Sequence, residues 1–347
     1  MEEKFDPLVA EWLAFVKNPN FNLVEKCLKF AQILEYPDLN VDDYIQKINQ
    51  IGKSLKESIS DVKNPTYLIS MLNEHFFENL GFSGDDDDYY NPKNNFLNEV
   101  IDKKTGLPIT ISILYAEIAK FIGLELKIVG FPGHILVKYN EEMILDPFYD
   151  GRLLDVDDLQ DILDANYGGQ LEFKPEFLDE VKSEQILVRL TRNLKNSYVQ
   201  SFVYEKALRC VNMVLAIEPE SPEDIRDKGI LEERLKNSEI ALKYLNKYLE
   251  INPNAEDIDF VLELIRSEQI KQKESASFNF IGSSKNGISC RPLCSDASRT
   301  ILSALSIFNF NFTVLSEIIG VIRETPISVA FCRTHSKLSF LIIEANK

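Results

Sequence analysis

The sequence predicts an α+β protein with a helical N-terminal part, a small strand region and an α-helical repeat array. Three observations support this fold class. Apolar residues recur at helical spacing over roughly the first 80 residues. After Gly106, a long helical pattern precedes three short segments of alternating character, which is typical of strands. From residue 185 onward, alanines and prolines recur 34 residues apart, a period typical of repeats built from helix pairs.

The first part of the chain contains three apolar helical faces, which predict a group of packed helices. Cys27 lies on one of these faces and is expected to be a core thiol. His75 lies near a later apolar face and is expected to pack or to reach the surface rather than to bind a ligand. The three faces consist of Leu8, Trp12, Phe15 and Val16, then Val24, Cys27, Leu28, Ala31 and Leu34, then Tyr44, Ile48, Ile51 and Leu55.

The stretch from Gly106 to Asp146 contains the helix and strands on which the site prediction depends. Proline is favoured in a first helical turn because its missing N–H would be unpaired there, so Pro108 indicates a helix start. Gly123 is predicted to end this helix. The residues that follow predict three short strands at 126–130, 134–139 and 143–146, with a turn at 131–133 between the first two.

Six short blocks between residues 81 and 148 occur in the order found in the SirB-type branch of the transglutaminase-like superfamily, and the chain resembles that branch. The resemblance implies a papain/transglutaminase-like domain joined to tetratricopeptide repeats. Enzymes of the superfamily combine a Cys at a helix N-terminus, a His on the next strand but one and an Asp on the strand after. The blocks are Gly81-Phe82-Ser83-Gly84, Tyr89-Tyr90-Asn91-Pro92, Asn94-Asn95-Phe96-Leu97, Gly106-Leu107-Pro108-Ile109-Thr110, Gly130-Phe131-Pro132-Gly133-His134 and Asp146-Pro147-Phe148.

His134 and Asp146 occupy the His and Asp positions that the resemblance implies. The two residues have the same parity on strands predicted to be adjacent and antiparallel. If paired residue numbers add to an even number in the register of the two strands, their side chains lie on one face of the sheet, either opposite or diagonal to each other. The sequence does not fix that register. These two residues either form a functional or remnant pair in a cleft, or they form a hydrogen bond that only holds the hairpin together.

The nucleophile position of the family corresponds to Pro108, counted back from Gly123, and proline offers no nucleophile. No cysteine lies between Cys27 and Cys210. Thr110 is within one helical turn of Pro108, so it is either a His-activated nucleophile or a helix-start hydroxyl bonded to nearby backbone. Further candidates for lining the cleft and binding a ligand are Asn94, Asn95, Pro108 and Tyr115.

Acidic and cysteine-containing segments do not predict a metal site, and no cofactor is predicted. The run Asp85–Asp88 is expected to be a solvated loop, since a calcium loop would need alternating ligands and an internal turn glycine. Cys290 and Cys294 have zinc-like spacing, but Cys332 and His335 form too weak a second pair to predict a zinc site.

The chain is predicted to divide into four segments. Residues 1–150 form the transglutaminase-like domain, 151–184 a linker, 185–269 the tetratricopeptide-like repeats, and 270–347 a disordered or poorly packed tail. Because three or more repeats are normally needed for independent stability, the repeats are expected to dock on the first domain. The repeat signature positions are Leu194, Tyr198, Ala207, Val214 and Pro219, followed by Gly229, Ala241, Leu245 and Pro253.

The net charge of the chain is −17, and it is unevenly distributed. Residues 273–347 carry +3 and the preceding 272 residues carry −20. An acidic body argues against nucleic acid or an anionic membrane as the main partner, since both require a basic surface. The segment 301–322 is apolar but interrupted by polar residues, so no membrane span is expected. Five scattered cysteines and an acidic start without an apolar run predict a cytoplasmic location.

Three interpretations remain open from the sequence, the third of which is a scaffold with an unused cleft. The leading interpretation is a pseudoenzyme, in which a non-catalytic transglutaminase-like module binds a ligand or peptide while the repeats bind a protein or peptide partner. The alternative is a hydrolase or acyl-transferase that uses His134 and Asp146 with a nucleophile other than Cys. An open cleft with Thr110 Oγ within about 3.2 Å of His134 would favour the alternative.

Overall fold

The computed structural model of the chain describes residues 6–59, 64–282, 327–334 and 337–344, with side chains described as far as Gln272. The N-terminal part is helical, as its apolar periodicity predicts. Each of its first four helices begins after an Asp or Asn whose side chain accepts a backbone N–H of the first turn. These helices are α1 (Pro7–Val16), α2 (Leu23–Leu34), α3 (Val41–Ser58) and α4 (Pro65–Asn73), and a π-helical segment, Glu74–Asn79, extends α4.

A compact central segment follows, and its most buried element is a helix. Two short strands pair in parallel, and a 3-10 turn (Pro92–Asn95) and a helix connect them. The long helix after them is buried along nearly its whole length, because its sequence is apolar on every side. These elements are β1 (Ser83–Gly84), α5 (Leu97–Lys103), β2 (Thr105–Gly106) and α6 (Pro108–Ala119).

The main sheet has four antiparallel strands in chain order, β3 (Lys127–Val129), β4 (Leu136–Lys138), β5 (Ile144–Asp146) and β6 (Arg152–Leu154). Both of its faces are covered, since side chains alternate between the two sides of a strand. One face joins the main core that contains α6, through Ile128, Val137 and Leu145. The other face forms a second core with α7 (Val156–Tyr167), through Val129, Leu136, Ile144 and Leu154.

Residues 151–184, expected from the sequence to be a linker, are part of this folded region. They provide β6, α7 and a 3-10 turn at Pro175–Leu178. Glu180 also forms an antiparallel bridge with Val129 of β3. The acidic, glycine-containing composition of the segment resembles that of a linker, but its few apolar residues close the second face of the sheet.

The described residues from 183 to 282 form five further helices: α8 (Ser183–Gln200), α9 (Tyr204–Leu215), α10 (Pro222–Arg234), α11 (Ser238–Ile251) and α12 (Ile258–Gly282). The apolar repeat signature side chains other than the two prolines are buried between them, including Ala207 and Ala241, which are fully buried, whereas Pro219 and Pro253 are exposed. The first helix pair packs on the N-terminal helices, as expected from the small number of repeats. Lys206 pairs with Glu35 at 2.6 Å, and Arg209 pairs with Asp6 at 2.8 Å.

The chain forms two compact units, one of residues 1–280 and one of residues 281–347. In the second unit, β7 (Ile327–Thr334) pairs antiparallel with β8 (Lys337–Glu344). Part of the predicted disordered tail is therefore helix or strand. The predictions about Cys290, Cys294 and segment 301–322 fall outside the described residues. None of the helices within the described ranges is long and apolar enough to cross a membrane.

Candidate functional site

His134 and Asp146 are hydrogen-bonded to each other. His134 Nε2 lies 2.9 Å from Asp146 Oδ2, and the other carboxylate oxygen accepts the Phe148 backbone N–H at 3.0 Å. The Asp146 side chain is fully buried, whereas that of His134 is 11% exposed. A small part of the His134 side chain therefore remains accessible, while a buried carboxylate orients the ring.

Local chain geometry explains this placement. His134 precedes β4 rather than lying within it, at the end of the turn that starts at Phe131. Gly133 in that turn has φ +75°, a left-handed conformation that favours glycine. In the register of β4 and β5, Val137 faces Leu145, which leaves His134 diagonal to Asp146. This is one of the two arrangements expected from the residue parity.

A row of aromatic side chains adjoins the His134 ring. Tyr149 stacks on it with centroids 6.3 Å apart, and Phe148 meets it edge-on at 6.1 Å. Phe148 also contacts Tyr89, which in turn contacts Tyr90. The three tyrosines of this aromatic row are 37–54% exposed, whereas Phe148 is buried beneath them. The loop before α5 therefore borders the site.

The start of α6 contains no side chain available for nucleophilic attack. Pro108 is the first residue of the helix and is buried. The Thr110 hydroxyl donates to the Asn94 carbonyl at 3.0 Å and accepts the Leu107 backbone N–H at 2.9 Å. Thr110 is only 1% exposed, so its hydroxyl serves the helix start. Among the hydrogen bonds of the described residues, none joins Thr110 to His134.

The other candidates for lining the cleft are also buried. Asn94 donates to Asp85 and to the Asp88 carbonyl, both at 2.9 Å, and so holds the acidic loop in place. Asn95 donates to Ser197 of α8 at 3.2 Å. Tyr115 is fully buried and donates to Asn73 at 2.5 Å. Asn94, Asn95 and Tyr115 are thus buried and hydrogen-bonded within the protein.

The two cysteines with described side chains are not reactive thiols. Cys27 and Cys210 are fully buried, and this burial raises the pKa of each thiol to about 12. A thiol with such a pKa is protonated at neutral pH and is a poor nucleophile. Within the described part of the chain, no cluster of His, Cys, Asp and Glu side chains has an arrangement that could hold a metal ion.

Sequence reasoning did not identify Tyr149 or Arg189 as site residues. Tyr149 directly follows a block that resembles the family, so its position in the sequence was a usable signal. Arg189 lies far along the chain on α8, yet its Nη1 donates to the Phe131 carbonyl at 3.0 Å. No local pattern could have connected Arg189 to His134, because only tertiary packing brings α8 under this turn.

Comparison with known proteins supports the same two-part organisation. A family model described as the transglutaminase-like superfamily matches residues 42–192, and a tetratricopeptide repeat model matches residues 194–266. A UPF0162 protein of Xylella fastidiosa (strain Temecula1) is 31% identical over 255 residues, which is 72% of this chain and 90% of that protein. The chain belongs to the SirB1 and UPF0162 family.

Two further relatives in this family are more distant. The protein SirB1 of Salmonella typhimurium is 26% identical over 239 residues, which cover 68% of this chain and 86% of SirB1. A UPF0162 protein of Vibrio cholerae is 28% identical over 197 residues, covering 56% of this chain and 71% of the relative. This chain thus combines a region that matches the transglutaminase-like superfamily with a region that matches tetratricopeptide repeats, a class of repeat associated with protein interaction.

Proposed function

We propose that this family member is a non-catalytic binding module that holds an extended protein segment on the aromatic row beside His134. The observation that carries the proposal is the row itself, in which Tyr89, Tyr90 and Tyr149 expose their rings next to an oriented imidazole. Tyrosine is enriched at protein interfaces because it combines a large apolar face with a polar tip. In this proposal the repeats contact the same partner or a second protein.

The absence of a usable nucleophile near α6 supports binding over catalysis. Acyl transfer through a His–Asp pair needs a nucleophile within hydrogen-bond reach of the His. Pro108 has no such group. The Thr110 hydroxyl already accepts the Leu107 backbone N–H and donates to the Asn94 carbonyl. The alternative, a hydrolase or acyl-transferase, has the 2.9 Å bond between His134 and Asp146 in its favour.

Binding is tested with a fluorescent pool of short random peptides and fluorescence polarisation. Tyr149→Ala should weaken binding, because it removes the ring that stacks on His134. The matched control is Tyr67→Ala, since Tyr67 is also an exposed tyrosine, at 37% against 49% for Tyr149, but lies on α4, outside the aromatic row. Equal binding by both variants and the wild type, or no binding by any of them, would contradict the proposal.

Catalysis is tested by incorporation of a dansylated amine into a glutamine-rich acceptor protein and by hydrolysis of the same peptide pool. We expect no turnover above that of His134→Ala, with or without iodoacetamide. Turnover that disappears in Thr110→Val but persists in Thr110→Ser would instead establish the alternative. Turnover that iodoacetamide abolishes would identify a cysteine nucleophile. It would contradict the inference that the nucleophile position of the family is occupied by Pro108 and that no cysteine replaces it.

A further inference from the structure

The guanidinium of Arg189 lies at the base of the turn that presents His134. Its Nη1 donates to the Phe131 carbonyl at 3.0 Å, and the His134 backbone N–H donates to the same oxygen, also at 3.0 Å. Gly130, just before this turn, also lies close to the guanidinium, since a Cβ added at Gly130 would be 3.8 Å from Arg189 Nη1. Arg189 is therefore next to the candidate site, although it comes from α8.

Arg189 differs from the other arginines in its charge environment. Seven arginines have described side chains, and six of them lie within 4 Å of a carboxylate oxygen of another described residue. For Arg189, no such carboxylate is present among the described residues. The difference is notable in a chain with a net charge of −17, where acidic partners are abundant.

The groups that act electrostatically on Arg189 are phenols. Burial lowers the pKa of Arg189 from its ordinary value, and the nearby phenols of Tyr89 and Tyr167 act in the opposite direction. An arginine remains charged in a protein, and a partly buried charge without a counter-ion is unfavourable. Arg189 itself is half-buried, and Tyr89 and Tyr167 are 37% and 42% exposed, so part of this region is accessible to solvent and to a ligand.

We propose that Arg189 anchors a carboxylate of the bound segment, either its C-terminal carboxylate or an Asp or Glu side chain. This inference rests on the proposed binding function and names the chemistry of the ligand. A guanidinium has five N–H donors, and the Phe131 carbonyl takes one of them. The remaining donors can form a bidentate, charge-assisted pair with a carboxylate. The phenols of Tyr89 and Tyr167 can donate to the same anion.

The structure also indicates how such a segment would lie. Tyr89 is one of the two phenols that act electrostatically on Arg189, and its ring contacts Phe148. Phe148 in turn contacts the rings of Tyr149 and His134. A carboxylate held at Arg189 would therefore place the rest of the segment along the aromatic row. Arg189 is thus a binding residue at one end of the surface proposed above.

Three labelled peptide pools test this inference in the full-length protein. The first has a free C-terminus and no Asp or Glu, the second an amidated C-terminus and one Glu, and the third is amidated and has no acid. At least one carboxylate pool should bind the wild type about tenfold or more tightly than the third pool, as a charge-assisted pair implies. Whichever pool gains affinity identifies the source of the carboxylate.

Arg189→Gln should abolish this preference, whereas the matched control Arg152→Gln should keep it, because Arg152 pairs with Asp158. A purely structural role for Arg189 would lower the affinity for all pools equally and would shift the His134 imidazole NMR signal. If Arg189→Gln does not fold, the Arg189 Nε–H signal of the wild type provides the readout. Only carboxylate pools should shift it.

The outcomes separate the two proposals. Equal binding of all three pools to the wild type overturns the carboxylate anchor and leaves the binding module intact. A preference that persists in Arg189→Gln, or an Arg189 signal that no carboxylate pool shifts, also overturns the anchor. If no pool binds, both proposals fail.

Discussion

Asp146 is the residue on which the local geometry of the site depends. One of its carboxylate oxygens orients His134, and the other caps the 3-10 turn Pro147–Tyr149 through the Phe148 N–H. The same buried side chain therefore positions the imidazole and the two aromatic residues beside it. A single carboxylate can do this because each of its oxygens accepts a separate hydrogen bond.

We expect His134 and Asp146 to be energetically coupled. In a double-mutant cycle of His134→Ala and Asp146→Asn, residues in contact typically interact by about 0.5–3 kcal/mol, whereas distant residues are additive within about 0.5 kcal/mol. Urea denaturation of the wild type, both single variants and the double variant measures this term. A control cycle pairs His134→Ala with Asp87→Asn, at an exposed position in the acidic loop. Additive effects in both cycles would show that the bond contributes no stability.

The packing of α10 against α11 depends on a small residue at the point where the two helices approach closely. At Gly229 of α10, an added Cβ would lie 2.7 Å from the Leu245 side chain and 3.1 Å from the Leu245 backbone N. Leu245 belongs to α11 and is fully buried. The glycine at this repeat signature position therefore allows the two helices to pack closely.

Gly229→Ala is expected to destabilise the protein by about 1–2 kcal/mol in urea unfolding. Overpacking typically costs about 1–3 kcal/mol, which exceeds the gain of up to about 1 kcal/mol from alanine's helix propensity. The control introduces the same change in a Leu245→Ala background, where the truncated side chain leaves room for the new methyl group. The penalty should shrink there. An equal penalty in both backgrounds would mean that the Leu245 side chain is not its cause.

The π-helical segment places His75 against α3, where its Nε2 lies 3.2 Å from Ser54 Oγ. Burial lowers the pKa of His75 below 6.5, and a backbone hydrogen bond at Ile51 partly opposes this effect. The unfolded state then takes up a proton more readily than the folded state. The contribution of His75 to stability is fully present above about pH 6.5 and is lost as pH falls through the folded pKa.

Urea unfolding at pH 7 and pH 5 tests this dependence on His75. The wild type should lose more stability between these two pH values than His75→Gln, which cannot be protonated. The comparison between the two proteins separates His75 from the remaining histidines, which both proteins share. Equal losses, or a greater loss in His75→Gln, would mean that the folded pKa of His75 is not lowered.

At the scale of the whole molecule, the first two helices of the repeat region share the main core with the transglutaminase-like part. Trp12 and Phe30 of the N-terminal helices belong to the same cluster as Leu194 and Val211 of α8 and α9. Repeats that share a core with the preceding domain do not need three units of their own to be stable. Residues 1–280 are accordingly expected to unfold in one cooperative transition.

Two truncations test where the cooperative unit ends. A chain that ends after Gly282 should melt within a few degrees of the full chain, because the three core clusters formed by residues with described side chains lie before that point. A chain that ends after Gln269 should melt at a lower temperature. It loses Lys271, which pairs with Glu233 at 2.9 Å and with buried Glu268 at 2.5 Å. Equal melting temperatures for both truncations would show that these ion pairs contribute nothing.

The sequence by itself determined the local elements and the family. Apolar periodicity predicted α1–α4, Pro108 and Gly123 marked the start and end of the α6 region, and the 34-residue period predicted the repeats. The residue parity of His134 and Asp146 predicted a shared face only for an even-sum register, and the observed pairing of Val137 with Leu145 supplies that register. Each of these signals depends on residues close together in the chain, where the helix and strand periods act directly.

Only the tertiary structure decided how distant segments combine. It showed that 151–184 closes the second face of the sheet and that Tyr115 is enclosed in the core. It also placed Arg189 under the turn of His134 without a described acidic partner. These outcomes depend on which side chains meet across long separations, and that is set by core packing and burial of charge rather than by any local period.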